Sequence, residues 1–263
     1  LFKSGFPYIM LNGLKGTGKS TYDTVIYLLS LNAKMGLDFS SSALYRTITF
    51  QGGTLILDEI EHLSDKRSAD TSDYAKILKG GYSDTSYVYR TDMDNGKGSI
   101  DRFTVFGPKV ISNINGIDDV IADRCIIIRM FRVPTEYLAS LENPDIYKNE
   151  LRGEIHTTTS RCVLSAMENF HKVYELFNSP SSAFNTGNAR LNQIIKPLFT
   201  IAKLVGGDYE KHLIAYYEKE IERTKREVAD GTLEGMVTTA LKRVANELTG
   251  VEVDKWATNP ANH

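Results

Sequence analysis

The sequence predicts an α/β fold: a mostly parallel sheet with helices on both faces, followed by an all-helical part. Three observations predict it. Short apolar runs of strand length alternate with helical stretches over the first half of the chain. The first of these runs leads through a glycine-rich loop directly into a helix. Beyond Pro134 the apolar periodicity is helical only.

Taken in order, Tyr8 to Leu11 is an apolar run closed by Asn12-Gly13 and reads as a buried strand. Lys19 to Lys34 reads as a helix with Val25, Ile26, Leu28 and Leu29 on its apolar side. Ser42 to Phe50 is a second helix, broken by Gln51-Gly52-Gly53. Thr54 to Leu57 is a second buried strand that runs into Asp58-Glu59. Tyr74 to Leu78 is a short helix closed by Gly80-Gly81. Tyr87 to Arg90 and Phe103 to Phe106 are β-rich and flank the polar stretch Asp94-Asn95-Gly96-Lys97-Gly98, a hairpin with a longish loop. Lys109 to Asn113 and Cys125 to Ile128 are two further buried strands.

The helical part begins with Val163, Ala166, Met167, Phe170, Val173, Tyr174 and Phe177 on one face. Pro197 to Val205 is another helix, ended by Gly206-Gly207. Ile214, Tyr217, Ile221 and Val228 mark a third, and Leu233, Val237, Leu241, Val244 and Leu248 a fourth. The expected division is a core over 1–133, a helical segment over 134–230, and the start of a further helical region over 231–263.

Composition limits the function classes. The formal net charge is −2, so nucleic acid is not bound by bulk charge and any such contact rests on a few placed cations. Cys125 and Cys162 have no metal-site or disulfide-framework spacing. No apolar run spans a bilayer and no signal peptide precedes the first strand, so a cytoplasmic setting is expected. The start at Leu1, seven residues before a core strand, and the polar end at His263 read as a piece of a longer chain.

Gly13-Leu14-Lys15-Gly16-Thr17-Gly18-Lys19-Ser20 fits the P-loop pattern G-x-x-x-x-G-K-[ST] without a mismatch. Its glycines let backbone N–H groups wrap a phosphate chain, and the following helix presents its positive end to the same anion. Lys19 neutralises the β- and γ-phosphates and the Ser20 hydroxyl ligates Mg²⁺; Lys15, Thr17 and Thr21 complete the expected nucleotide contacts. The acids come next. A parallel sheet binds ligands at the carboxyl ends of its strands, which puts Asp58 beside the loop as a metal-holding group. Glu59 is then the base that polarises a water for attack on the γ-phosphate.

Asn113 ends a neighbouring strand, where it either orients that water or only shapes the turn Asn113-Ile114-Asn115-Gly116. Arg124 lies between a short helix and the last strand. Exposed there, it would reach a neighbouring subunit's nucleotide; otherwise it pairs with Asp123 or Asp119. Arg129 is a weaker candidate for the same role.

In this order and at these spacings, the phosphate loop, Asp58-Glu59, hairpin, Asn113 and Arg124 resemble AAA+ ATPases, in particular the superfamily 3 helicases of phages, plasmids and small viruses. Ala43 to Arg46, Ile77 to Tyr82, Phe106 to Lys109, Ile121 to Arg124 and Asn188 to Arg190 resemble blocks of phage and plasmid helicase domains. Lys196 to Asp208 resembles their lid segment, though Ile194-Ile195-Lys196 stands where a Trp is often found. The resemblance implies an AAA+ core with a helical lid, ATP and Mg²⁺ as cofactors, a homo-hexameric ring, and single-stranded DNA in its pore. It also implies a primase or polymerase module in the same chain. By the same carry-over Asn113 is the sensor, Arg124 the trans-acting finger and Arg190 a lid arginine at the γ-phosphate, with a helix-surface cation as the alternative for Arg190. The matching pore hairpin carries Lys97 near its tip, flanked by Arg90 and Arg102, unless that tip is only a solvated turn. The expected function is therefore an ATP-driven DNA helicase. Alternatives are an ATP-dependent switch or loader acting on a protein partner, and a P-loop nucleotide kinase.

Overall fold

The computed structural model describes residues 2–36, 39–58, 73–92, 99–138, 149–179 and 185–231, together with Val237, Leu241 and Val244. Glu59, Lys97 and most of the expected fourth helix lie outside the described residues. The chain divides into two compact units, residues 1–205 and 206–263.

In the first unit β1 (Tyr8–Asn12), β2 (Lys34–Gly36), β3 (Leu55–Leu57), β6 (Lys109–Asn113) and β7 (Cys125–Arg129) form one sheet in the order β2-β3-β6-β1-β7. Every pairing in it is parallel. A separate antiparallel hairpin joins β4 (Tyr87–Asp92) to β5 (Ser99–Thr104). The helices are α1 (Lys19–Leu29), α2 (Ser41–Gln51), α3 (Asp73–Gly80), α4 (Asp119–Ala122), α5 (Thr135–Leu138), α6 (Asn149–Glu168), α7 (Phe170–Asn178) and α8 (Ala189–Val205). The second unit contributes α9 (Tyr209–Gly231).

Alternation along the strands sorts the core into two layers. Tyr8, Leu55, Leu57 and Ile111 face a large cluster built with Leu44, Tyr45 and Ile48 of α2, Ala75, Ile77 and Leu78 of α3, and Ile121 of α4. Leu11, Ile56 and Val110 face a smaller cluster on the side of α1, with Ile26 against it. The hairpin is fastened to the larger layer through Phe103, whose ring lies 4.7 Å from that of Tyr45.

Two expectations differ. The first helix ends at Leu29, and Lys34 opens a strand; Ser30 leaves α-space (ψ 138°) and closes the helix through its N–H to the Ile26 carbonyl. The single face from Val163 to Phe177 is broken at Asn169, so Val173 and Phe177 are buried while Met167, Phe170 and Tyr174 are exposed. The helices after Pro134 up to Val205 belong to the same compact unit as the sheet. The contacts responsible are specific. The Thr159 hydroxyl donates to the Leu28 carbonyl at 3.4 Å, Phe2 packs edge-on against Phe177, and Gln193 donates to the Ser4 carbonyl.

A buried lysine ties the hairpin to the sheet. Lys109, the first residue of β6, is 2% exposed. Its ammonium donates to the carbonyls of Val105 (2.9 Å), Gly107 (3.0 Å) and Gly81 (3.2 Å) and lies 4.8 Å from the centre of the Tyr8 ring. Burial pushes its pKa down to about 7, against which three carbonyl acceptors and a ring face favour the charged form. A Cβ on Gly81 would meet the Val105 carbonyl at 2.2 Å and Lys109 Nζ at 2.8 Å, so only glycine admits the clamp. Lys109→Met keeps the aliphatic stem and strands the three carbonyls. We expect it to lower stability by roughly 3 kcal/mol in a denaturant titration; an unchanged midpoint would show that the clamp is dispensable.

Candidate functional site

The site is assembled by the sheet order. β1 sits between β6 and β7, so the chain leaves it towards one side and returns on the other, and the crevice at the carboxyl end of β1 is the place where such sheets bind ligands. Asn12 is in register with Asn113 on one side and Arg129 on the other. The loop after Asn12 is thereby fixed: Gly13 N–H donates to the Asn113 carbonyl, and Met130 N–H to that of Asn12.

The loop has the backbone that a phosphate cradle requires. Gly16 and Gly18 have φ of 81° and 88°, in the left-handed region that glycine adopts without strain. Gly18 precedes α1 without a side-chain cap, which leaves the amides of the first turn to an anion. The Lys19 ammonium is drawn into the loop, donating to the carbonyls of Gly13 (2.6 Å) and Leu14 (3.2 Å). The Thr17 hydroxyl donates to the Leu14 carbonyl at 2.9 Å. Arg132, not anticipated from the sequence, donates through Nε and Nη2 to the Lys15 carbonyl at 2.9 and 2.8 Å. It is 117 residues away along the chain, and no spacing pattern marks it.

The acids share one face. Leu57 pairs with Ile111, so Asp58 follows alongside Ser112. By alternation both continue the face of Ile56 and Val110, the side on which α1 packs. There the Ser112 hydroxyl donates to Asp23 Oδ2 at 2.6 Å. Asp23 lies four residues after Lys19 and three after Ser20, one turn further along the same helix face. It is 0% exposed. Burial raises its carboxyl to about 6, with the Ser112 hydrogen bond lowering it, Asp58 raising it and Lys19 lowering it. The site therefore holds a second acid, fully buried, near the partly exposed Asp58. Sequence reasoning looked for apolar residues on α1 and missed that its buried position is an aspartate.

Asn113 is buried beneath the loop, and its side-chain oxygen accepts from the Asn115 N–H at 2.9 Å, which is the turn-forming geometry. Thr21 lies on the exposed side of the first turn of α1.

Arg124 and Arg190 lie together at one ring, that of Tyr82. Arg124 is 6% exposed rather than projecting. Its guanidinium donates to the carbonyls of Lys79 (2.8 Å) and Val120, and it stacks 5.0 Å from the centre of the Tyr82 ring. The hydrogen-bond acceptors that hold it inward are these two backbone carbonyls. Arg190, at the start of α8, is exposed and lies 5.6 Å from the centre of the same ring. Burial first, and the Arg190 charge second, lower the Arg124 pKa. Tyr8 N–H donates to the Arg124 carbonyl, which puts both arginines at the start of β1, whereas the loop follows its end. Five strand residues separate the two ends by roughly 13 Å. Arg190 therefore lies at the strand-start end of the sheet, beside Tyr82.

On the hairpin, Arg90 lies over Tyr45 at 5.2 Å and Arg102 over Tyr87 at 4.6 Å, both exposed. Among the described residues no cluster of three or more His, Cys, Asp or Glu forms a ready metal cage, and no helix is long and apolar enough to cross a membrane. Mg²⁺ needs no such cage: one or two carboxylates, a hydroxyl and the phosphates themselves are its usual ligands, and a carboxylate and a hydroxyl such as those of Asp58 and Ser20 suit it.

No protein-family model matches the chain, and no curated protein matches its sequence. Among solved structures, JCV helicase bound to an N-aryl acetamide aligns with a TM-score of 0.34 at 13% identity, covering 64% of this chain and 54% of that one. An inhibitor-bound JCV helicase aligns with a TM-score of 0.32 at 15% identity, over 64% and 55%. The chain spans about half the length of these structures.

The shifted Asp23 makes a pH prediction. Its folded value of about 6 lies above the ordinary carboxylate value of 3.8, so the folded protein binds the extra proton between them. That contribution to stability is full below the lower value and is lost as pH rises through the upper one. Without metal or nucleotide, wild type should lose about 2 kcal/mol relative to Asp23→Asn between pH 4.5 and 7. Parallel pH profiles of the two proteins would count against a buried ionised Asp23.

Proposed function

We propose that this chain is the ATP-hydrolysing motor of a ring-forming nucleic-acid helicase. The observation that carries the reading is the convergence of the phosphate loop, with Lys19 drawn into it, Asp58 and Asn113 at the ends of three adjoining parallel strands.

In this reading the amides of Gly16 to Ser20 and the Lys19 ammonium hold the triphosphate, and Ser20 and Asp58 hold Mg²⁺ on the face of α1. The metal, when bound, offsets charge on the β- and γ-phosphate oxygens. Glu59 follows Asp58 directly. It accepts a proton from a water as the water oxygen bonds to the γ-phosphorus; the bond from that phosphorus to the β,γ-bridging oxygen breaks, and the electron pair leaves with ADP. A dedicated water base is what separates a hydrolytic motor from a kinase, which must exclude water from its acceptor.

Arg190 and Arg124 flank Tyr82 on the strand-start side, away from their own loop. The Arg124 and Arg190 guanidinium groups lie 5.0 and 5.6 Å from the centre of that ring. In a ring, where each protomer meets the next through different surfaces, a cation on that side serves the neighbour's phosphate. The buried Arg124 then fixes Tyr82, and the exposed Arg190 makes the contact. This assigns the trans role to the pair rather than to Arg124 alone. Arg90 and Arg102, held on tyrosine faces, and Lys97 in the sequence between the two strands supply phosphate contacts, which suits a protein with no overall positive charge. The helical lid, the hexamer and an appended primase or polymerase module belong to the same reading.

Lys19→Ala should abolish nucleotide binding, and Glu59→Gln should retain binding while ATP hydrolysis falls by at least a hundredfold. Arg190→Ala should also cut hydrolysis by roughly a hundredfold without changing nucleotide affinity, and activity should reappear when it is mixed with Lys19→Ala protomers. Failure of the mixture to recover activity would remove the trans role. In a fork-unwinding assay, Arg90→Ala/Arg102→Ala should weaken single-strand binding and reduce its salt slope by about two. ATP hydrolysis with no unwinding by wild type would point to an ATP-driven switch instead.

A further inference from the structure

Asp23 is the one fully buried residue of α1, and its environment does not satisfy it. Oδ2 accepts from Ser112 Oγ, but Oδ1 is buried with no hydrogen-bond donor. Its one hydrogen-bond partner is a neutral hydroxyl. Burying a carboxylate costs several kcal/mol unless both oxygens are met, and an asparagine or an apolar residue would carry less of that cost. A native structure that keeps such a group needs a reason for it, and an absent ligand is one of the few available.

Its position names the ligand. The register of β3 on β6 places Asp58 beside Ser112, on the face where Ser112 meets Asp23. Ser20 and Lys19 stand one helical turn away on the same side of α1. The orphaned oxygen therefore belongs to the neighbourhood of the residues assigned to Mg²⁺. A second carboxylate there cannot seek an anion, and the Lys19 ammonium is engaged by the loop carbonyls. What it can accept is a hydrogen bond from a water polarised by a cation. Mg²⁺ sheds its waters reluctantly and is usually bound with several still attached, and groups that accept from such waters orient the site.

We propose that Asp23 is an outer-sphere positioning residue of the Mg²⁺–nucleotide site: Ser112 anchors Oδ2, and Oδ1 accepts a hydrogen bond from a water of the metal's hydration shell. The inference rests on the phosphate-loop reading above and extends it to a residue outside the P-loop motif. It also gives Ser112 a task, since its hydroxyl fixes the rotation of the Asp23 carboxylate. Ser112 adjoins Asn113, so the strand that ends beneath the loop carries the anchor as well.

The test measures affinity for a fluorescent, non-hydrolysable ATP analogue twice, with Mg²⁺ and with EDTA, in the full chain. The ratio of the two dissociation constants reports the metal's contribution alone. Asp23→Asn preserves shape and should reduce that ratio about tenfold while affinity in EDTA stays at the wild-type level. Ser112→Ala keeps the carboxylate but frees it, and should reduce the ratio by a smaller factor. Loss of affinity in EDTA to the same extent would mean that Asp23 supports the fold or the loop, and overturns the proposal. An unchanged ratio in Asp23→Asn overturns it as well. If wild type does not bind the analogue, or if Lys19→Ala binds it equally well, it is the phosphate-loop reading that fails, and the outer-sphere role falls with it.

Discussion

Parallel pairing of β1 with β6, in a register that sets Asn12 against Asn113, is the constraint from which the rest of the site follows. It anchors the first residue of the phosphate loop to the Asn113 carbonyl. It also decides, through the pairing of β3 with the other edge of β6, that Asp58 comes to the same end of the sheet. Alternation along these strands then chooses the face. Shifting β6 by one residue would turn Ser112 away from α1 and bring Ile111 to face Asp23. Asp23 would then be buried with neither oxygen satisfied, which is why the register and the buried acid are mutually consistent only in the arrangement observed.

β6 carries an ionisable contact at each end. Lys109 at its start is clamped by the carbonyls of Gly81, Val105 and Gly107, next to the end of the hairpin. Ser112 near its finish holds Asp23 below the loop. Three residues along one fully buried strand thus join the base of the hairpin to the acids of the site. In the motor reading, this is the shortest covalent path between the nucleotide and the nucleic-acid-facing element. It is also a stiff one, because all five residues of the strand are buried and the strand is paired on both sides. Both buried charges cost stability that an apolar pair would not, and each is set where a rigid polar connection serves more than cohesion does.

Much of the sheet was legible in the sequence because its signals are local. Tyr8 to Leu11, Lys109 to Asn113 and Cys125 to Ile128 are apolar runs flanked by turn residues, and each is a strand with the expected end or one residue more. The loop between Gly13 and Ser20 declared itself by glycine spacing. The three-residue β2 did not, because Lys34-Met35-Gly36 has neither alternation nor β-branched residues; it forms only because β3 is there to pair with it. The inward turn of Arg124 was also illegible. Its acceptors are the carbonyls of Lys79 and Val120, and a carbonyl has no residue identity for a sequence pattern to show. Asp23 is the most instructive miss. Burial on a helix was read from apolar residues, whereas the buried position of α1 is an acid paired 89 residues away with Ser112.

The most direct test of the account is a structure of this chain with a non-hydrolysable ATP analogue and Mg²⁺. The β- and γ-phosphates are expected within hydrogen-bond distance of the amides of Gly16 to Ser20, with Lys19 Nζ released from the Gly13 and Leu14 carbonyls to meet them. Binding of the analogue away from this loop, or retention of the carbonyl partners by Lys19 while the phosphates lie elsewhere, would contradict this.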